Sequence, residues 1–267
     1  MKIGVSSSVY LHDNLENALK KISKLGLKYV EIWGEPPHLW LDHIDYSYLK
    51  KITQLLYKYN LKPSYHGPAH DVDITSMNPG IKKESIKQHK RSLDIAKFLG
   101  VDVYVIHAGS FYPGDKDVVK KGLDRLYKSI DELLTLAENN NIVLAVENHP
   151  VNENGIFNNP KMMKKVLKDF ESPYLKATLD IGHANLTKFP VIEYIKELGN
   201  DIKHIHINDN DGLEDLHLAY GEGNIDSKNI IKKIEDIGFT GLGILEIWAP
   251  DNPAKAINKS ISYINSI

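Results

Sequence analysis

The chain of 267 residues contains no cysteine. That absence removes disulfide frameworks and every thiolate metal site, and it fits a reducing compartment. Long apolar runs are missing too: no stretch approaches the ~18 residues of a membrane helix. The opening residues, MKIGVSSSVYLHDN, hold an apolar stretch that is short and broken by serines, unlike a secretory signal. There is no excess charge of one sign. Net charge is −2, with 42% hydrophobic and 25% charged residues, so the totals point to no polyanionic partner. No linker or low-complexity run divides the chain. The expectation is one domain over 1–267 in a soluble, cytoplasmic protein with a large core.

What is present is a repeated unit: a short β-branched run, a polar or Gly-rich break, then a lysine-rich amphipathic segment. The strand runs are KIGVSS (2–7), KYVEIW (28–33), LKPSYH (61–66), VDVYVIH (101–107), IVLAVEN (142–148), LKATLDI (175–181), IKHIHIN (202–208) and GLGILEI (241–247). Helical patterns occupy 14–25, 45–59, 80–99, 116–140, 160–170, 190–199, 226–237 and 253–265. Asn14 or Asp13 suits the cap of the first helix, and Gly26, Gly100 and Gly238 sit just past helix ends. Eight strands alternating with eight helices in about 250 residues is the arithmetic of an α/β (β/α)8 TIM barrel. An open doubly wound sheet is the alternative, but no G-x-G-x-x-G follows the first strand.

A barrel of this kind carries its chemistry at the C-terminal ends of its strands. There the third to eighth runs supply His66, His107, Glu147, Asp180 with His183, His206, and Glu246, while DLH beyond the seventh adds Asp215 and His217. Parity supports one shared interior. Two residues earlier stand Ser64, Val105, Ala145, Thr178, His204 and Ile244; the residues between, Tyr65, Ile106, Val146, Leu179, Ile205 and Leu245, are large and apolar and face the helices. His204 lies one layer deeper, as a supporting or hydrogen-bonded core residue. A lone buried histidine is ordinarily a satisfied core residue, and a lone strand-end glutamate a salt-bridge partner. Nine such groups at one mouth are different, because buried carboxylates are costly unless paired or coordinated. Imidazole with carboxylate, without thiolate, suits Zn²⁺, Mn²⁺, Co²⁺ or Fe²⁺ better than Ca²⁺ or Mg²⁺. Nine ligands exceed what one ion takes, which suggests two or three; with a single-ion site as the alternative, one to three divalent ions per chain are expected.

The segments SYHGPAH, YVIHAGS, LAVENHP, TLDIGHAN, HIHINDNDGLEDLHLAYGEGNID and ILEIW resemble the xylose-isomerase-like TIM-barrel superfamily, which holds endonuclease IV, ketose 3-epimerases and inosose dehydratase-like proteins. Likeness to endonuclease IV implies a trinuclear zinc centre on His66, His107, Glu147, Asp180, His183, His206, Asp215, His217 and Glu246, with Glu147 bridging metals and a phosphodiester as substrate. Likeness to the epimerases implies one metal on Glu147, Asp180, His206 and Glu246, with Glu147 and Glu246 as two opposed proton-transfer groups and His183 on a substrate oxygen. The arginine those epimerases carry soon after the strand-seven histidine is missing here.

Two function classes follow: a metal-dependent isomerase, epimerase or dehydratase of a small sugar or polyol, and an abasic-site endonuclease. DNA-binding members need basic and wedge residues above the barrel. Residues 34–44 (GEPPHLWLDHI) and 149–160 (HPVNENGIFNNP) contain no Lys or Arg, and 108–117 (AGSFYPGDKD) holds one Lys. Nucleic acid is therefore the less favoured partner. Trp33, Trp40, Phe111 and Trp248 suit either the wall of a sugar pocket, with Trp33 and Trp248 as substrate contacts, or ordinary packing. Glu222, in GEG, reads as a turn residue. A homodimer is compatible with the sugar-active resemblance, but no interface is legible.

Overall fold

The computed structural model describes residues 1–114, 116–150 and 154–267. Every expected strand forms, trimmed by one to three residues: β1 (Lys2–Ser6), β2 (Tyr29–Trp33), β3 (Lys62–His66), β4 (Val103–His107), β5 (Val143–Glu147), β6 (Leu175–Asp180), β7 (Ile202–Ile207) and β8 (Leu242–Leu245). Each pairs in parallel with the next, and β8 pairs with β1, so the sheet closes in chain order. The open-sheet alternative is thereby excluded. Asp115 and residues 151–153 of the two loops noted for their scarcity of basic residues lie outside the described residues.

The helices are α1 (Leu15–Ser23), α2 (Tyr46–Lys58), α3 (Pro79–Phe98), α4 (Val118–Asn139), α5 (Pro160–Phe170), α6 (Ile181–Asn185), α7 (Val191–Leu198), α8 (Ser227–Asp236) and α9 (Pro253–Ile264). Only α6 was not expected. α1 shows why they form: Leu15, Ala18, Leu19 and Ile22, at helical spacing, are the buried face. Asn14 caps it by accepting the Asn17 N–H at 2.9 Å, and Gly26 leaves it at φ 73°. α3, α5 and α9 share one start, an Asn cap followed by Pro at the first turn: Asn78–Pro79, Asn159–Pro160 and Asn252–Pro253.

The parity argument holds in space. Tyr65, Ile106, Val146, Leu179, Ile205 and Leu245 are buried in the cluster between barrel and helices. Val105, Ala145 and Ile244 are equally buried but stand apart from that cluster, inside the barrel. Parallel register sets site residues side by side: Trp33 with His66, His107 with Glu147, Asp180 with His206. One layer below, Glu31 is level with Ser64, and Thr178 with His204. Among the described residues no helix is long and apolar enough to cross a membrane.

Leu19→Ala, in the helix–barrel layer, is expected to cost about 2–5 kcal/mol by opening a cavity. Urea denaturation followed by far-UV circular dichroism measures the loss.

Candidate metal centre

His206 is the hub. It is fully buried, and its Nδ1 lies 2.9 Å from Glu147 Oε1, 3.0 Å from Glu246 Oε2 and 3.7 Å from Asp180 Oδ2. Three carboxylates from three strand ends thus face one ring nitrogen, and the ligand atoms of the four residues lie within 4.8 Å of one another. Two more trios flank them, His66 with His107 and Glu147, and His183 with Asp215 and His217. Glu147 belongs to two groups at once. Its Oε1 faces His206 and, at 3.4 Å, His183 Nδ1; its Oε2 lies 3.5 Å from His66 Nε2 and 3.2 Å from His107 Nε2. Asp215 Oδ2 is 3.2 Å from His183 Nε2 and 3.4 Å from His217 Nε2. All nine ligands expected from sequence are therefore gathered at one mouth.

The ring orientations fit cation ligands. Nδ1 of His66 lies 2.7 Å from the Gly67 carbonyl, that of His183 2.9 Å from the Asn148 carbonyl, and that of His217 2.9 Å from the Glu246 carbonyl. A carbonyl only accepts, so Nδ1 donates and each Nε2 is turned to the carboxylates. Buried Glu147 Oε2 and Asp215 Oδ1 have no hydrogen-bond partner. Together with the oxygen–nitrogen donor set, these atoms fit a divalent cation.

Without a cation, the charges balance through imidazolium–carboxylate pairs. Burial alone would raise Glu147, yet His206 and His107 hold it well below the ordinary carboxylate value. Burial opposes ionisation of Glu246 too, but His206, then His217, bring it down to about 2. His66 and His217, depressed by burial but pulled up by Glu147 and Asp215 respectively, reach about 9. His107, desolvated and beside His149, falls to about 4. A cation must displace the protons on the raised imidazoles, so binding is coupled to proton release.

Local sequence explains how each ligand is held. Asp180 ends β6 and starts α6, the one helix sequence reasoning missed. Its Oδ1 accepts the His183 N–H at 2.7 Å, while Oδ2 accepts from Asn208 Nδ2 at 3.0 Å. D-I-G-H is thus a capping turn that projects the histidine, a signal too short for periodicity to show. Gly182 is required there, because a Cβ would stand 1.7 Å from Asn208 Oδ1. Asn148 locks β5 to β6 by accepting the Asp180 N–H at 2.8 Å and donating to its carbonyl at 2.9 Å. Buried Asp209 holds the loop carrying Asp215 and His217. It accepts the N–H of Gly221 at 2.9 Å and of Ile225 at 3.3 Å, and its backbone bridges Leu218. His217 itself sits at φ 45°.

A cavity of about 330 Å³ opens above the ligands, lined by Trp33, His66, His107, Glu147, His183 and Glu246 among others, with no Lys or Arg in its wall. Of the four aromatics named from sequence, only Trp33 lines it. Trp40 and Trp248 are 58% and 53% exposed and border other clefts, because their loops turn outward, and Phe111 packs against the core. Trp248 is therefore not a wall of this cavity. Glu222 pairs with Lys259, as a turn residue would. A larger cavity, about 500 Å³, lies at the opposite end among Lys2, Lys62 and Lys203; its lining holds one carboxylate, Asp102, and no imidazole, so it offers no ligand set.

Sequence reasoning missed Glu31, Asn148, His149 and the Glu35–His70 pair. His149 lines the cavity with its ring centroid 4.5 Å from that of His107, the two rings nearly perpendicular. Glu35, buried, accepts His70 Nδ1–H at 2.6 Å at the rim, which raises His70 above the ordinary imidazole value. Parity extended to β2 would have found Glu31, a lone acid inside YVEIW two residues before the strand-end Trp33.

Comparison with known proteins agrees with this geometry. Residues 19–267 match the family model for the xylose isomerase-like TIM barrel, and the chain belongs to that family. Protein MJ1311 of Methanocaldococcus jannaschii is 31% identical over 249 residues, covering 92% of this chain and 83% of the relative. Fructoselysine 3-epimerase of Escherichia coli O157:H7 is 28% identical, covering 92% and 90%. The crystal structure of a D-tagatose 3-epimerase-like protein superimposes with a TM-score of 0.88 at 29% identity, covering 100% of this chain and 99% of that one. Named relatives and structural neighbours are thus largely sugar epimerases.

The shifts set a pH optimum for the stability of chelator-treated protein. Raised His66 and His217 stabilise fully below the unfolded value of 6.5, and that contribution is lost as pH rises through about 9. Depressed His107 loses stability as pH falls from 6.5 toward 4, and Glu246 as pH falls from 4.5 toward 2. Melting temperature should peak near pH 6.5. Added divalent cation should flatten the alkaline limb, and differential scanning calorimetry across pH reads both.

Proposed function

We propose that the protein is a divalent-metal-dependent epimerase or isomerase of a small ketose-type sugar, within a class that includes dehydratases. The observation that carries this reading is the convergence of Glu147, Asp180 and Glu246 on His206 Nδ1, beneath a cavity of sugar size with no Lys or Arg among the described residues of its wall. Glu147, Asp180, His206 and Glu246 would hold the cation. A divalent ion there, Mn²⁺, Co²⁺ or Zn²⁺, would supply Lewis-acid stabilisation of the negative charge that builds on a substrate oxygen when the neighbouring C–H loses its proton.

The chain's own residues do the rest. Glu147 and Glu246 approach the centre from different strand ends, so one takes the proton from carbon while the other delivers a proton to the opposite face. The depressed pKa of each suits it to accept. The one that delivers must first take a proton from water or a substrate hydroxyl, and the proton removed from carbon is returned by the same route. His183 Nε2 is placed to bind a substrate oxygen, and Trp33 forms an apolar wall with its ring 4.7 Å from that of His66. The epimerase names of the relatives support this substrate class.

The two flanking trios favour a second reading, a multinuclear zinc phosphodiesterase of the endonuclease IV type, because Glu147 offers one oxygen to each neighbouring group. Elemental analysis of protein purified without chelator separates the two. About one ion per chain supports the epimerase; close to three zinc ions, with cleavage of abasic DNA, supports the hydrolase.

Metal-loaded protein incubated in D₂O with D-psicose, D-tagatose and fructoselysine should place deuterium at the carbon beside the carbonyl, detected by NMR. If none of these or other ketoses exchanges, the epimerase reading is wrong. Glu246→Gln should lower that exchange by about 10²–10⁴-fold while the melting temperature stays within a few degrees. Survival of exchange in this variant would remove Glu246 from proton transfer.

A further inference from the structure

Glu31 lies directly beneath the cation ligands and touches none of the cavity. Its side chain is wholly buried between His204 and His206. Oε2 is 2.8 Å from His204 Nε2 and accepts the Ser64 hydroxyl at 3.3 Å; Oε1 is 3.1 Å from His206 Nε2. These contacts close at ion-pair distance, and Glu31 Oε1 and both Nε2 atoms have no hydrogen-bond partner, so charge attraction rather than an aligned hydrogen bond joins them. A buried charge in an apolar strand is costly, so its place there needs a compensating role.

The trio is not itself a cation seat. Ligands around a divalent ion each stand about 2 Å from it, so they are farther apart than 2.8 Å. An ionised carboxylate offers no proton, so its attraction to His204 at 2.8 Å and to His206 at 3.1 Å depends on a proton on each Nε2. For His206 this divides the two nitrogens: Nε2 keeps its proton beside Glu31, while Nδ1, hydrogen-bonded to Glu147 Oε1 at 2.9 Å without a cation, gives its proton up when a cation binds among Glu147, Asp180 and Glu246.

We propose that Glu31 is a positioning residue, which clamps the His206 ring and its Nε2 proton so that Nδ1 is presented as a ligand to a divalent cation, with His204 as the second anchor that centres the carboxylate. The inference rests on the cation seat proposed above. A carboxylate behind a ligating imidazole is worth roughly 10–100-fold in metal affinity. His204 is thereby explained as well: it steadies the group that orients the ligand.

The test is Mn²⁺ and Co²⁺ titration of chelator-treated full-length protein, by calorimetry and by the visible absorption of bound cobalt. No binding by the wild type overturns the cation seat itself and leaves nothing for Glu31 to position. With wild-type binding established, Glu31→Gln and Glu31→Ala should weaken it at least tenfold and shift the cobalt bands. Leu19→Ala, which loosens only the helix–barrel layer, should leave affinity and spectrum unchanged. Affinity within twofold of wild type in both Glu31 variants, or a loss matched by Leu19→Ala, overturns the proposal. Should neither Glu31 variant fold, ¹⁵N-histidine spectra of the zinc-loaded wild type decide. Protons on Nε2 of both His204 and His206 are expected, and a proton on His206 Nδ1 would refute the clamp.

Discussion

The structure depends on how like charges are buried together. Glu31, Glu147, Asp180 and Glu246 all lie in or at the interior of one barrel, and ionised carboxylates cannot share such a volume unless positive charge is interleaved. Imidazoles interleave it here: His206 stands between Glu31 on one side and three carboxylates on the other. A divalent cation can take over that role with better ligand geometry. Site architecture, protonation and cation affinity are therefore one electrostatic problem.

The barrel solves it by rigidity. Neighbouring strands in parallel register fix which side chains share a level, so His107 and Glu147, or Asp180 and His206, are adjacent by backbone pairing. Four ligands stand outside strands: Glu246 directly follows β8, His183 is carried by α6, and for Asp215 and His217 buried Asp209 takes the place of strand pairing by binding three backbone N–H groups of its loop. Ligands on strand ends and ligands on a tied loop reach comparable order by different means.

Family membership and chemistry separate at this site. The xylose isomerase-like barrel defines the scaffold, and the same positions offer ligand sets for one ion or for several. The surroundings favour a small substrate: a cavity of about 330 Å³ whose described wall holds histidines but no Lys or Arg, rather than a basic groove for a phosphate backbone.

Periodicity alone determined the eight strands, the long helices and the closed barrel, because alternation of two and repetition near 3.6 are local and survive without neighbours. Strand-end position and parity pointed to six of the nine candidate ligands, His66, His107, Glu147, Asp180, His206 and Glu246, for the same reason: each is a property of its own strand; His183, Asp215 and His217 were read from the segments that follow. Tertiary structure decided what depends on closure. Glu147 and His206 are 59 residues apart in the chain, and only the closed sheet shows that Nδ1 faces Glu147, Asp180 and Glu246 while Nε2 faces Glu31. It also decided that Trp33 lines the cavity while Trp40 and Trp248 turn away, since loop direction has no period to read. Glu31 stands between the two cases. Its inward parity was legible in YVEIW, but its partners, His204 and His206, come from the far side of the barrel, and no local pattern could supply them.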